Sequence, residues 1–221
     1  MYKILLAIIT SFVGFPLLTS WMTQPNIINV KAGDDFRAAL DSPNCGDTII
    51  VDSTATFTVS KEGFPFVLRN RGQCASNPII IRTSNLAGIP AEGQRISPSH
   101  AVAMPKLVSN VSTAVLEAEA GANGYKLIGL NFTNAGNTIT NTLVEIGRRA
   151  QSGYIPTPEQ PHHITFDRVW IHEATNDTST PHGSETTSER GLLINAQDID
   201  VLNSRIAGFR GFYKGTTNIV A

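Results

Sequence analysis

The sequence predicts an all-β fold, a right-handed parallel β-helix (a solenoid) with a short N-terminal capping helix. Three observations lead to this prediction: a segment that repeats without gaps, a short apolar run before each copy, and few charged residues. Only 16% of the residues are charged, against roughly a quarter in a typical soluble protein. Helices carry many exposed charged residues, so this deficit favours strands.

The repeat is the strongest of these observations. Three segments align: YKLIGLNF (125–132), ITFDRVWI (164–171) and IDVLNSRI (199–206). Each has large apolar residues at its first, third and last positions, and the alternation breaks in the middle, at Gly129, Arg168 and Asn203. Alternation of period two indicates strands. We therefore expect each copy to form two short strands joined by a tight bend.

Another short apolar run precedes each copy: AVLEAE (114–119), TLVEIG (142–147) and GLLINA (191–196). One repeating unit is thus strand, turn, strand, bend, strand and a variable loop, which suits coils stacked in a solenoid. Polar insertions at 147–161 and 174–190 account for the uneven repeat length. A β-sandwich is the main alternative, whereas a βαβ fold is disfavoured because no amphipathic helix of normal length separates the strands.

The N-terminal 22 residues have the pattern of an export segment. Lys3 precedes an uncharged stretch with an apolar core at 5–22, which is typical of a secretory signal peptide. The run is also long enough to span a bilayer, so an uncleaved anchor remains an alternative, as does a buried N-terminal helix. We expect a secreted or cell-surface protein.

Residues 23–221 are predicted to form the β-helix domain, after a short linker at 23–31. Asp34 or Asp35 can cap a short helix whose apolar face is Phe36, Ala39 and Leu40. Strand-like runs follow: TIIVD, TFTV, FPFVL and IIIRTS, and then a long loop at 84–106. The last residues, GTTNIVA, resemble the start of a further coil without a polar cap, so we expect a domain truncated at its C-terminal end.

The two cysteines, Cys45 and Cys74, are expected to form a disulfide. Cys45 lies four residues before Ile49 and Cys74 lies five residues before Ile79, each in a strand-like run. Strands in adjacent coils are about 4.8 Å apart, which is within the Cα separation that a disulfide tolerates. Two buried thiols that never meet are the alternative.

Several segments resemble exported bacterial β-helix proteins of the pectin-lyase-like superfamily. They include the opening AGDDFRAALDSPNCGDTIIVDSTATFTV and the later PIIIRTS, YKLIGLNF, HITFDRVWIH and RGLLINAQDIDVLNSRIAGF. The resemblance implies an extracellular protein that binds or processes carbohydrate, in the manner of a polysaccharide lyase or a glycosidase. Because the same coils carry enzymes and adhesins, a non-catalytic adhesin, a structural solenoid or an inactive fragment remain alternatives.

The catalytic residues of such a lyase find no complete match here, so the sequence leaves open whether the chain is an enzyme and assigns no catalytic residue. Partial candidates exist in the strand before each repeat. Glu117, Glu145 and Asn195 would form an outward row if Leu116, Val144 and Ile194 point inward. Oxygen ligands in such a row could hold Ca²⁺, and a solvated polar row is the alternative.

A second group of candidates lies at the end of the middle repeat. Trp170, at an outward strand position, could stack on sugar, and His172 with Glu173 could perform acid–base work. Ordinary loop polarity and structural packing are the alternatives. The expected partner is a polysaccharide, with anionic chains included, and the expected state is a monomer. With a net charge of −1, nothing indicates nucleic acid, and a membrane would be contacted only through an uncleaved N-terminus.

Overall fold

The chain winds into a parallel β-helix, as predicted. A computed structural model describes residues 24–135, 138–147, 159–174 and 188–209. Within them, the strands form three sheets in which every neighbouring pair is parallel. Each full coil contributes one strand to each sheet. No helix in this part of the chain has the length and apolarity needed to cross a membrane.

Fifteen described strands make up the three sheets, which we call A, B and C. Sheet A contains β1 (Ile27–Val30), β2 (Thr48–Val51), β5 (Ile79–Thr83), β8 (Asn123–Ile128), β11 (His162–Asp167) and β14 (Gln197–Leu202). Sheet B contains β3 (Thr56–Val59), β6 (Lys106–Ser109), β9 (Asn131–Asn134), β12 (Trp170–His172) and β15 (Arg205–Ala207). Sheet C contains β4 (Phe66–Leu68), β7 (Leu116–Ala118), β10 (Thr142–Ile146) and β13 (Arg190–Ile194). Coil 1 is β2–β4, coil 2 is β5–β7, coil 3 is β8–β10, coil 4 is β11–β13, and coil 5 begins with β14 and β15.

The gapless alignment of the three repeats is the register of the stacked strands. Tyr125 pairs with Ile164, which in turn pairs with Ile199. Each repeat bends between sheet A and sheet B at the residue where the alternation breaks. Gly129, Arg168 and Asn203 have positive φ angles of 63°, 50° and 52°, a left-handed conformation that turns the chain sharply.

The interior is filled by apolar side chains stacked from coil to coil. One column runs through sheet A from Ile49 to Ile81, Leu127 and Phe166, each at most 1% exposed. Alternation sends these side chains inward and their neighbours outward. The coils are therefore held in register by the same pattern that identified them in the sequence.

The N-terminal end of the helix is closed by a short helix and an additional strand. Helix α1 (Phe36–Asp41) is capped by the Asp35 carboxylate, which accepts hydrogen bonds from the amides of Arg37 and Ala38. Its Phe36 packs against Phe57 and buries the end of the core. The predicted linker at 23–31 is wrong, because residues 27–30 form β1 and pair with β2. The run IINV is β-branched enough to extend sheet A by one strand.

The predicted disulfide is present. Cys45 and Cys74 are bonded, with their Cα atoms 5.0 Å apart. They lie before β2 and β5, which are adjacent in sheet A. The cross-link therefore ties coil 1 to coil 2 beside the helical cap.

The long loop before β6 is a structured segment that crosses three coils, and we call residues 84–105 the strap. It contains two 3₁₀ helices, Leu86–Gly88 and Pro98–Ala103. The Pro90 carbonyl accepts from Nη1 of Arg168 at 3.0 Å, and the Ile96 amide donates to the Asn203 carbonyl at 2.8 Å. The strap thus leaves coil 2 and covers the bends of coils 3, 4 and 5. The two predicted insertions, 147–161 and 174–190, lie mostly outside the described residues.

Candidate functional site

Two carboxylates lie side by side on the outer face of sheet C. Glu117 of β7 pairs with Glu145 of β10. Their neighbours Leu116 and Val144 are fully buried in the core, so both carboxylates point outward, as predicted. Paired residues of adjacent strands lie about 4.8 Å apart. Two neighbouring coils therefore present one acid each to the same stretch of surface.

The third predicted member of this row, Asn195, is not aligned with the two acids. Glu145 pairs with Leu193, and the Asn195 amide donates to the Ile146 carbonyl, just beyond the end of β13. Taking Ile194 as the equivalent of Val144 placed Asn195 two positions too early, because Val144 pairs with Leu192. On the other side, Val67 of β4 pairs with Glu117. The polar row therefore consists of two acids between two apolar residues.

The acidic pair lines a pocket of about 220 Å³, which we call the sheet C pocket. Its remaining walls come from the turns that enter sheet C in coils 1, 2 and 3. They are Glu62, Gly63, Ser112, Thr113, Ala114, Asn141 and Thr142. Hydroxyls, an amide and carboxylates dominate this lining, so the pocket suits a ligand rich in hydrogen-bonding groups.

The coil 1 side of the pocket is fixed by hydrogen bonds between turns. The Glu62 carboxylate accepts from the Ser112 amide at 2.7 Å and from Oγ1 of Thr113 at 2.6 Å. The Gly63 amide donates to the same threonine oxygen at 2.8 Å. Phe64 follows directly, and its side chain is 51% exposed, with Nζ of Lys61 3.9 Å from its ring centroid. An accessible aromatic residue therefore directly follows Gly63, which lines the pocket.

The floor of the pocket includes an unusual hydroxyl. Thr142, at the start of β10, is 2% exposed, and its Oγ1 has no hydrogen-bond partner within the described residues. A buried polar atom without a partner costs about 1–3 kcal/mol.

Trp170 points out of the coil, as predicted, but it is covered. Its neighbour Ile171 faces the core, whereas Trp170 joins a second apolar cluster with Ile89, Ile96 and Met104 of the strap. The indole is only 7% exposed, and its Nε1 has no partner among the described residues. A sugar could stack on this ring only if the strap were displaced, so sheet C offers the better site.

His172 is buried against Trp170, whose ring centroid is 3.7 Å away. The Nδ1 atom lies 2.7 Å from the Glu173 carbonyl and Nε2 lies 2.9 Å from the Asn131 side-chain amide. Burial lowers the pKa of His172 to about 4, which keeps the ring neutral. The atom of Asn131 that faces Nε2 is its side-chain oxygen Oδ1.

Glu173 is buried in a polar network at the corner between sheets B and C. It accepts from Nδ2 of Asn134 at 2.7 Å and from the Ser188 amide at 3.1 Å. Oγ of Ser188 in turn accepts a hydrogen bond from the Thr140 backbone amide at 2.9 Å. Burial raises the pKa of Glu173 against the effect of these donors. The network ties coil 3 to coil 4, and the predicted substrate-binding role of Trp170, His172 and Glu173 stays a prediction without support from their exposure.

The sequence missed the turn residues of the sheet C pocket. Glu62, Thr113 and Phe64 belong to no repeat, and they meet only because the turns of coils 1 and 2 stack. The signal that could have found them is their position, since each lies just before a strand of sheet C.

No metal centre is preformed in the described residues, where no three His, Cys, Asp or Glu side chains are grouped to hold an ion. The predicted Ca²⁺ site therefore has two aligned acids at most and stays untested. No protein-family model, curated protein or solved structure matches the chain.

Proposed function

We propose that this chain is an extracellular carbohydrate-binding β-helix protein that takes a polysaccharide on the outer face of sheet C. The observation that carries the proposal is the register pairing of Glu117 with Glu145 inside the sheet C pocket. The disulfide is compatible with export, and the motifs quoted above from the pectin-lyase-like superfamily support the same class of function.

The chemistry of the pocket suits a sugar better than an apolar ligand. Sugar hydroxyls donate well to carboxylates, and bonds to charged acceptors are stronger than neutral ones. Phe64 supplies an exposed aromatic face for the apolar C–H face of a sugar ring, since ligand sites combine aromatic surface with a few oriented polar groups. Because coils repeat every 4.8 Å or so, successive sugar units can meet the same face at regular intervals.

The charge of the pocket favours an uncharged polysaccharide as the first partner. Glu62, Glu117 and Glu145 all line it, and like charges at close range repel a uronate carboxylate. An anionic chain would need a cation such as Ca²⁺ between its carboxylates and these acids. The two cases differ in one measurable respect, the dependence of binding on calcium.

The test is binding of the full chain to a panel of neutral and uronate polysaccharides, with Ca²⁺ and with chelator. The double variant Glu117→Gln/Glu145→Gln keeps the shape of the pocket and removes both charges, and we expect its affinity to fall about tenfold or more. Phe64→Ala should weaken binding several-fold. Glu92→Gln is the matched control, because Glu92 is exposed on the strap, away from the pocket.

Two results would reject the proposal: full affinity in the double variant, or no binding to any polysaccharide. The second would favour an adhesin or a structural solenoid. Release of reducing ends, or of unsaturated uronate that absorbs in the ultraviolet, would add catalysis to binding. Retaining glycosidases use a pair of carboxylates about 5 Å apart, so these products are measured in the same samples.

A further inference from the structure

A pair of histidines on sheet A converges on one point, far from any role in the sheet C pocket. His162 and His163 are adjacent in sequence at the start of β11, yet their Nδ1 atoms are 2.7 Å apart and their rings are perpendicular, at 78°. Consecutive strand residues normally point to opposite faces. His163 escapes this alternation because its φ angle is +54°.

The next coil brings a carboxylate to the same place. His162 pairs with Gln197 and Ile164 pairs with Ile199, so Asp198 lies beside His163. Its Oδ2 is 3.7 Å from Nδ1 of His163. The two side chains are 50% and 67% exposed, and the Asp198 carboxylate can rotate without displacing packed neighbours.

We propose that His162, His163 and Asp198 bind a divalent late transition metal ion, which links coil 4 to coil 5. Imidazole nitrogen suits Zn²⁺, Ni²⁺ and Cu²⁺. At metal–nitrogen distances of about 2.0–2.1 Å, two nitrogens are about 2.9 Å apart at a right angle and about 3.4 Å apart in a tetrahedron. The observed 2.7 Å is nearer to the right angle, and Cu²⁺ and Ni²⁺ prefer tetragonal geometry. Two nitrogens are thus almost in place, whereas no group of three such ligands is preformed among the described residues, so the exposed Asp198 carboxylate must rotate to become the third ligand.

The electrostatics of the surroundings favour a cation. Asp200 lies two residues after Asp198 on the same strand and is exposed, so it adds negative charge nearby. In the metal-free state one imidazole donates its proton to the other across the short Nδ1–Nδ1 contact. On binding, the ring that carries the shared proton on Nδ1 changes tautomer and carries it on Nε2 instead, so both Nδ1 lone pairs are free for the ion, and water completes the coordination. Cu²⁺, which heads the usual affinity order, is the probe of choice.

The test is titration of the full chain with Cu²⁺ in a non-coordinating buffer, followed by calorimetry and by electron paramagnetic resonance. We expect calorimetry to show one Cu²⁺ site, and we expect the resonance spectrum to show hyperfine splitting from two nitrogens. His163→Asn keeps a residue that tolerates positive φ, and we expect it to weaken binding about thirtyfold or more. His162→Gln should act similarly, and Asp198→Asn should weaken binding about fivefold. His100→Gln is the control, and it should change affinity less than twofold.

Thermal unfolding separates the site from its role in linking coils. Cu²⁺ should raise the Tm of the wild-type chain by several degrees, because a ligand that binds only the folded state stabilises it. Asp198→Asn should lose most of this gain, since it removes the ligand from coil 5. Unchanged affinity in both histidine variants would overturn the site, and an undiminished Tm gain in Asp198→Asn would overturn the link between the coils. Circular dichroism without metal checks that each variant is folded.

Discussion

Two outer faces of the same solenoid contrast sharply. On the outer face of sheet B, Trp170 points away from the core but lies under the strap, and His172 is buried against its ring. On the outer face of sheet C, Glu117 and Glu145 also point away from the core and line an open pocket. Strand alternation assigned Trp170, Glu117 and Glu145 to the outside correctly. Whether an outward residue meets solvent was decided by the strap, which belongs to a different coil.

The largest expected effect is at the covered face. Trp170→Ala should lower the free energy of unfolding by about 4 kcal/mol, because it removes the centre of the strap cluster. Urea unfolding measures this. Trp170→Phe should cost about 1 kcal/mol or less, since it keeps the aromatic packing and deletes the indole N–H that has no partner among the described residues. Equal losses in the two variants would show that the strap does not pack on this ring.

The second effect is a pH dependence at the same face. The folded pKa of His172, about 4, is below its unfolded value of about 6.5. The contribution of His172 to the free energy of unfolding is therefore complete above pH 6.5. It is lost as the pH falls through 4, by about 3 kcal/mol in all. His172→Asn should flatten this part of the profile of unfolding free energy against pH.

Glu173, the neighbouring residue, should give the opposite slope. Burial raises its folded pKa, so its contribution is complete below the unfolded pKa and is lost as the pH rises through the folded value. Glu173→Gln mimics the protonated acid. It should therefore remove the loss of stability on the alkaline side. A profile that both variants leave unchanged would contradict the burial of this pair.

A third effect, smaller than that of Trp170→Ala, tests how closely the strap approaches the bends. A Cβ on Gly129 would lie 2.8 Å from Cδ1 of Ile89 and Cγ2 of Thr83, at a φ of +63°. Gly129→Ala should cost about 2 kcal/mol, from backbone strain and crowding together. Gly93→Ala is the matched control, because Gly93 has a φ of +81° and open space around it. It should cost about 1 kcal/mol, and the difference isolates the contact with the strap.

The smallest effect on stability is expected at the open face. Glu117→Gln and Glu145→Gln should change the free energy of unfolding by about 0.5 kcal/mol or less, since both residues are partly exposed. Their effect should appear in polysaccharide binding instead. A large loss of stability in either variant would mean that the acids serve the fold, and the contrast between the two faces would fail.

The coil architecture could be predicted because it depends on local patterns. The bends at Gly129, Arg168 and Asn203 break the strand period within eight-residue segments, and the disulfide follows from short offsets to two strands. The site could be predicted only in part. Asn195 was misplaced because Ile194 was taken as the inward equivalent of Val144, whereas the register pairs Val144 with Leu192 and leaves Ile194 43% exposed. The covering of Trp170 depends on contacts from residues about 80 positions earlier, such as that of Arg168 with Pro90, which no local pattern encodes.

The strap also has a consequence for the order of folding. Its contacts with Arg168 and Ser204 span sequence separations of 78 and 109 residues. During synthesis from the N-terminus, the strap is made before the bends that it covers. Its apolar side chains can therefore be buried only after coils 4 and 5 have formed. Contacts made after the rate-limiting step chiefly slow unfolding and leave the folding rate nearly unchanged. A strap that docks last would therefore set the unfolding rate, and with it the lifetime of the folded solenoid.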